Sequence, residues 1–384
     1  MRFRRGCLSL QSEMRLRIWT HRRPTSRALA LFGWLGAVAC TVSGQDAPRN
    51  RAEASVVEVP SPTASPSAST VVSASASAAA PATPAEPFVA AARARAMLFP
   101  DGVPSAAGCG AEPSAPNQPA DAFVRCLIAH RFAEHAPAQE LALSLFDRAG
   151  DVTATELPFV MDGGFRGDIR LVGELPVGPH LKHLRWVESA KRAMLEFEAG
   201  ISKHATSKLN YRQGGVLWKF ARSVGRTTPS AYAGGWEIGY NVAGSLHASE
   251  VAVRDTIFHE IFHLNDQEHD GWSRRVLGQL VDGIAERCKS RSLCLKPFAP
   301  GKTMVRGGTY YAFQPDNGDI AHEYAAELAT RYFVEQLTML RGETLAEAPF
   351  KCAAPENAEA MKSLAQEFFG GVDRTPTCGA QPQR

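Results

Sequence analysis

The strongest constraint on what this chain can fold into is a long stretch that cannot build a core. From about Thr41 to Pro87 the sequence is dominated by Ala, Ser, Pro, Thr and Val, as in SPTASPSASTVVSASASAAAPATPAEP. Such a segment offers few large apolar side chains whose burial would offset the entropy lost on ordering, so residues 41–87 read as a flexible, extended tether. A compact structure is therefore expected from residues 88–384, where aromatic residues, charges and periodic patterns return. That leaves roughly 290 residues, a length that one domain accommodates. No internal repeat is visible.

Ahead of the tether, Arg22, Arg23 and Arg27 lead into the apolar run ALALFGWLGAVA (Ala28 to Ala39), which ends at Cys40. A basic front followed by a short apolar run reads as an export signal over residues 1–40, and the run is too short to span a bilayer comfortably. The residues Ala37-Val38-Ala39-Cys40 fit ordinary signal cleavage, and they also resemble a bacterial lipobox whose Cys40 would carry the lipid anchor. The expected location is outside the cytoplasm, lipid-anchored at the bacterial cell envelope or secreted.

The formal charge of +3 comes from this front end. Eight of the 42 Lys and Arg and one of the 39 Asp and Glu precede Cys40, which leaves 34 basic residues against 38 acidic ones. A mildly acidic body gives no argument for a nucleic-acid partner. Six cysteines follow Cys40, and an even count in an exported chain points to disulfides. Nearest-neighbour pairing would join Cys109 to Cys126, Cys288 to Cys294 and Cys352 to Cys378, one of fifteen connectivities. No C-x-x-C spacing speaks for a cysteine zinc site.

Within residues 88–384, His180 to Gly200 reads as a long amphipathic helix ended by Gly200. Trp236 to Val242 alternates as a half-buried strand, with Trp236, Ile238, Tyr240 and Val242 on one face. A helix capped by Ser249 should follow, carrying Ile257, Phe258, Ile261, Phe262 and Leu264. Another starts after DNGD with Asp319 as its cap and aligns Tyr324, Leu328 and Tyr332. A last helix, PENAEAMKSLAQEFFG, closes at Gly370.

The helix after Ser249 contains TIFHEIFHLNDQEH, in which His259 and His263 stand four apart. At that spacing two imidazoles face a single point, and each can place a nitrogen about 2.0–2.1 Å from one zinc ion. Glu260 leans toward the same side and can act as base on a water whose pKa the metal has lowered to about 7. The pattern is H-E-x-x-H. Two unpaired histidines would be costly in so apolar a helix, which favours the metal reading.

Two residues compete to be the third ligand. His269 stands where the metzincin pattern H-E-x-x-H-x-x-G-x-x-H has its last histidine, although Asp266 replaces the glycine of that pattern; otherwise His269 is a solvent-exposed loop residue. Glu323 and Glu327 share one face of the later helix, where one could ligate zinc and the other accept the N–H of a ligand histidine. A plainer role for that face is an ion pair between Glu327 and Arg331.

H-E-x-x-H followed by a helix with E-x-x-x-[DE] resembles the gluzincin arrangement, and HEIFHLND with EYAAELATRYF is similar to the catalytic domain of peptidases of the anthrax-lethal-factor type. The resemblance covers two short helices. It implies an α+β, zincin-like domain, a small mixed sheet with an active-site helix and a glutamate helix. It further implies Zn2+ as cofactor, zinc metalloendopeptidase activity on a peptide or protein substrate, Glu323 as third ligand, Glu327 as the partner of a ligand histidine, and Asp266 where the family also has an acid. In the family a tyrosine or histidine near the glutamate helix stabilises the oxyanion. No histidine follows His322, so Tyr310 and Tyr311 are the candidates, with Tyr311 preferred and Gly307 and Gly308 loosening the loop. By the same likeness the strand Trp236 to Val242 is expected either at the edge above the cleft, where a peptide could add, or inside the sheet. The competing functional readings are a metzincin-like site using His269 and a non-catalytic metal-binding envelope lipoprotein derived from a peptidase fold.

Overall fold

The computed structural model describes residues 90–102, 108–110, 112, 121–163, 167–305, 308–314 and 319–379. The signal segment with Cys40, the tether, and Gly307 lie outside the described residues. The chain divides after Ala79, and every element below belongs to the unit from Ala80 onward.

Three helices come first: α1 (Ala91–Leu98), α2 (Asp121–Arg131) and α3 (Ala136–Ala149). They lead into β1 (Val152–Thr155), β2 (Phe159–Met161) and β3 (Ile169–Gly173), and then into α4 (Leu181–Ser202). Next come β4 (Leu217–Ser223), β5 (Ala231–Gly234) and β6 (Glu237–Asn241). The second half is helical: α5 (Glu250–Glu268), a π-helical turn (Ser273–Leu277), α6 (Gly278–Cys288), α7 (Ser292–Leu295), α8 (Ile320–Leu340) and α9 (Pro355–Phe368). The fold is thus α+β, one mixed sheet packed with helices. Among the described residues, no helix is long and apolar enough to cross a membrane.

Strand β4 is the spine of the sheet. It pairs in parallel with β6 on one side and with β1 on the other, and beyond β1 it pairs antiparallel with β3, which carries β2. Strand β5 closes the opposite edge, antiparallel to β6. The strand around Ile238 and Tyr240 is therefore interior, and both side chains are fully buried. The edge position expected as one option for it belongs to β5 instead. The cause is a tight hairpin in which Gly235 and Trp236 take φ of 59° and 61°. Trp236 consequently sits in the turn and not in the strand. Its left-handed backbone is held by the Arg212 guanidinium, 3.7 Å above the ring, and by a hydrogen bond from its indole N–H to Glu268.

Helix α5 lies between the sheet edge, α4 and α8, so apolar residues around most of its circumference are buried: Val253, Ile257, Phe258, Ile261, Phe262 and Leu264. Burial of each is worth about 1.5–3 kcal/mol. Phe258 stacks on Phe333 of α8 at 4.3 Å, and Phe197 of α4 meets Phe333 edge-on at 5.1 Å. The Ser249 hydroxyl caps α5 by accepting from the Ala252 N–H at 3.2 Å, and the Asp319 carboxylate caps α8 by accepting from Ala321 at 2.9 Å. Gly200 does not end α4. The helix runs on to Ser202, and Gly200 serves close packing, since a side chain there would collide with Leu340 of α8. Where α4 meets the sheet, Lys191 and Asp151 form a buried ion pair at 3.2 Å. Asp151 also accepts from the Val216 N–H and the Trp218 indole N–H. Disulfides join Cys109 to Cys126, Cys288 to Cys294 and Cys352 to Cys378.

Candidate metal centre

Being one helical turn apart, His259 and His263 project from the same stripe of α5, and α8 crosses that stripe with its first turns. The crossing brings a third donor to the pair. The Nε2 atoms of His259 and His263 stand 3.0 Å apart, and Glu323 Oε2 lies 3.3 Å from the first and 3.8 Å from the second. Three atoms each about 2.0–2.1 Å from a tetrahedral zinc ion would be roughly 3.3 Å from one another, which these separations bracket. Glu323 Oε2 is buried and finds no hydrogen-bond donor among the described residues. Such an oxygen is costly unless a cation meets it. The donor set, two imidazoles and one carboxylate, suits a divalent ion of borderline softness, so the residues fit zinc.

The charges of the polypeptide alone tell the same story. Burial works against a charged His259, yet the carboxylate of Glu323 beside it holds the imidazole up at about 9. Burial pushes His263 down to about 4. Burial would also raise Glu323, but the two facing imidazoles outweigh it and hold this carboxyl well below the usual range. The cluster thus keeps one positive charge against Glu323 even as bare protein. Glu260, the residue after His259, is pushed up to about 7, chiefly by burial.

Glu327 lies one turn beyond Glu323 on α8, with Oε1 4.0 Å from Nδ1 of His259. Burial raises its carboxyl. It does not pair with Arg331, which bonds Glu335 at 2.6 Å and approaches Glu347 at 3.8 Å. Against the far side of the Glu327 carboxylate sits Gly301, where any β-carbon would fall on Oε2. A cavity of about 380 Å³ opens at His259, Glu260, Glu327 and Tyr311. The Tyr311 ring stands 6.1 Å from that of His259, whereas Tyr310 bridges to Met304 and lines a neighbouring cavity.

His269 is turned away from this cluster. Helix α5 continues through Asp266 to Glu268, so the chain reverses only at Asp270 and Gly271, which have φ of 54° and 63°. His269 then faces α9, with Nδ1 2.8 Å from Glu367 and Nε2 3.2 Å from the Asn210 carbonyl. It is neither an exposed loop residue nor a neighbour of the histidine pair.

Asp266 is buried and accepts from both the N–H and the hydroxyl of Ser273, each at 2.6 Å. It also accepts from Nδ1–H of His322 at 2.8 Å. These partners outweigh the burial that would raise the Asp266 carboxyl. His322 lines a second cavity of about 420 Å³ together with His263. Neither His322 nor Gly301 stood out in the sequence as part of the site. Adjacency to Glu323 was a signal for the first; the second had none. A further grouping, Cys109, Cys126 and His130, offers no thiolates because its cysteines are disulfide-bonded.

Comparison of the chain with protein-family models, with curated proteins and with solved structures returns no match in any of the three.

Proposed function

We propose that the protein is an exported zinc metalloendopeptidase of gluzincin type with a zincin-like domain, acting on peptide or protein substrates. One observation carries the reading: donor atoms from two separate helices, Nε2 of His259, Nε2 of His263 and Oε2 of Glu323, converge within 3.0 to 3.8 Å with the carboxylate oxygen buried and lacking a donor among the described residues. When bound there, zinc supplies a Lewis acid and brings the pKa of water to about 7. Glu260 takes the proton of the attacking water and returns it to the leaving amine. Glu327 holds the outer nitrogen of His259. The Tyr311 hydroxyl donates to the oxyanion that develops on the substrate carbonyl. The free edge of β5 supports binding of an extended peptide by main-chain hydrogen bonds, because this strand packs beside α5. Three disulfides among the described residues suit an oxidising compartment, in keeping with secretion or with a lipid anchor at Cys40.

The test is metal analysis with hydrolysis of a mixed peptide library. Wild type should hold one zinc and cleave, and a chelator should stop it. Glu260→Gln should keep the zinc and lose turnover. Cleavage that survives Glu260→Gln refutes the mechanism. Zinc held without turnover by wild type would identify a non-catalytic metal-binding envelope protein instead.

A further inference from the structure

The two histidines of the cluster are steadied by different means. His259 has Glu327 behind its outer nitrogen. His263 has no counterpart: its Nδ1 is buried and finds no hydrogen-bond partner among the described residues. Rotation about the last torsion of a histidine is soft, and a metal-bound imidazole usually has its other nitrogen tied to fix the ring plane. Something else must set the plane of His263.

The ring stands in a slot. One face lies against the ring of His322, with centroids 4.0 Å apart and planes 25° from parallel. The ring of His259 meets it edge-on at 4.6 Å and 88°. The His322 wall is itself fixed, because its Nδ1–H donates at 2.8 Å to Asp266, which Ser273 grips through two hydrogen bonds of 2.6 Å. His263 and Asp266 belong to α5, while His322 and Glu323 belong to α8. The bond therefore braces the two helices beside the point where their donor atoms meet.

Resting on the metal-centre reading above, we infer that His322, locked by Asp266, is a positioning residue that sets the ring plane of His263 by stacking, in place of the missing hydrogen bond. The brace holds the second ligand histidine and the ligand carboxylate in register before any ion arrives. Loss of the stacking ring leaves His263 free to rotate, which should weaken metal binding by about 10- to 100-fold, the range found when an orienting partner of a ligand is removed.

The experiment measures zinc affinity by competition with a chromophoric chelator, and the visible spectrum of the cobalt-substituted protein, for wild type, His322→Ala, His322→Phe and Glu323→Ala. His322→Ala should bind zinc about 10- to 100-fold more weakly, with an altered cobalt spectrum. His322→Phe keeps a ring against His263 and should stay within about tenfold of wild type. Wild-type affinity and spectrum in His322→Ala overturn the inference, as does a loss beyond about tenfold in His322→Phe. The second comparison stands even if His322→Ala does not fold. Failure of the underlying metal centre looks different: wild type would not bind zinc, or Glu323→Ala would bind it equally well.

Discussion

Gly301→Ala tests whether Glu327 supports the proposed metal centre and whether the loop before Thr303 holds it there. Gly301 lies outside the left-handed region, so alanine fits its backbone without strain. The only cost is contact, since the new methyl would occupy the position of Glu327 Oε2. Glu327 is wedged between Gly301 and His259, so its carboxylate must swing away from the nitrogen of His259 that it now faces at 4.0 Å. Losing such a partner costs about 10- to 100-fold in metal affinity, or about 1.4–2.8 kcal/mol at 1.4 kcal/mol per tenfold. The assay is zinc competition titration of four proteins: wild type, Gly301→Ala, Glu327→Ala and the double variant. If the methyl acts through Glu327, the two single losses should be similar and the double variant no worse than Glu327→Ala. Additive losses, or wild-type affinity in Gly301→Ala, would refute the reasoning.

Glu323→Ala should release zinc at concentrations where His269→Ala retains it, because Glu323 faces the histidine pair and His269 faces Glu367; metal analysis after dialysis reads the difference. Lys191→Met leaves Asp151 buried without its cation and should cost about 3–5 kcal/mol in urea unfolding, part of which Asp151→Asn in the same chain should restore. Burial holds His247 down at about 4 against 6.5 unfolded, and its Nε2 finds no partner among the described residues. The unfolded chain therefore takes up a proton first as pH falls, so stability is full above about 6.5 and declines toward about 4, by about 3 kcal/mol at most. Urea unfolding at pH 7.5 and pH 5 should show a smaller drop for His247→Phe than for wild type, and equal drops would dismiss this histidine as a source of acid sensitivity.

What could be read along the chain was what depends on near neighbours. A hydroxyl or carboxylate before an apolar periodic run foretold the caps at Ser249 and Asp319. The four-residue spacing of His259 and His263 foretold that their nitrogens would meet, because a helix superimposes such residues wherever it lies. Pairing of the nearest cysteines matched the structure too. Misreadings arose, and alternatives stayed open, where a residue has two uses that local pattern does not separate. Gly200 looked like a helix end and instead admits Leu340 of α8. Trp236 completed an alternating run, yet the hairpin claims it. Arg331 stood at the right spacing for Glu327 and bonds Glu335 on the next turn. His269 stood at the spacing of the metzincin pattern, but an unbroken helix through Asp266 carries it toward Glu367.

The sequence alone determined that residues four apart on two helices would present two imidazoles and two carboxylates, each set as a stripe. Only the tertiary structure decided that the stripes meet. Packing of Phe258 on Phe333 sets how α8 crosses α5, and that crossing selects Glu323 over His269, aims Tyr311 and not Tyr310 at His259, and brings His322 and Gly301 into contact with the site. Contacts between residues some sixty positions apart depend on the summed burial of whole helix faces, and no short-range pattern encodes that sum.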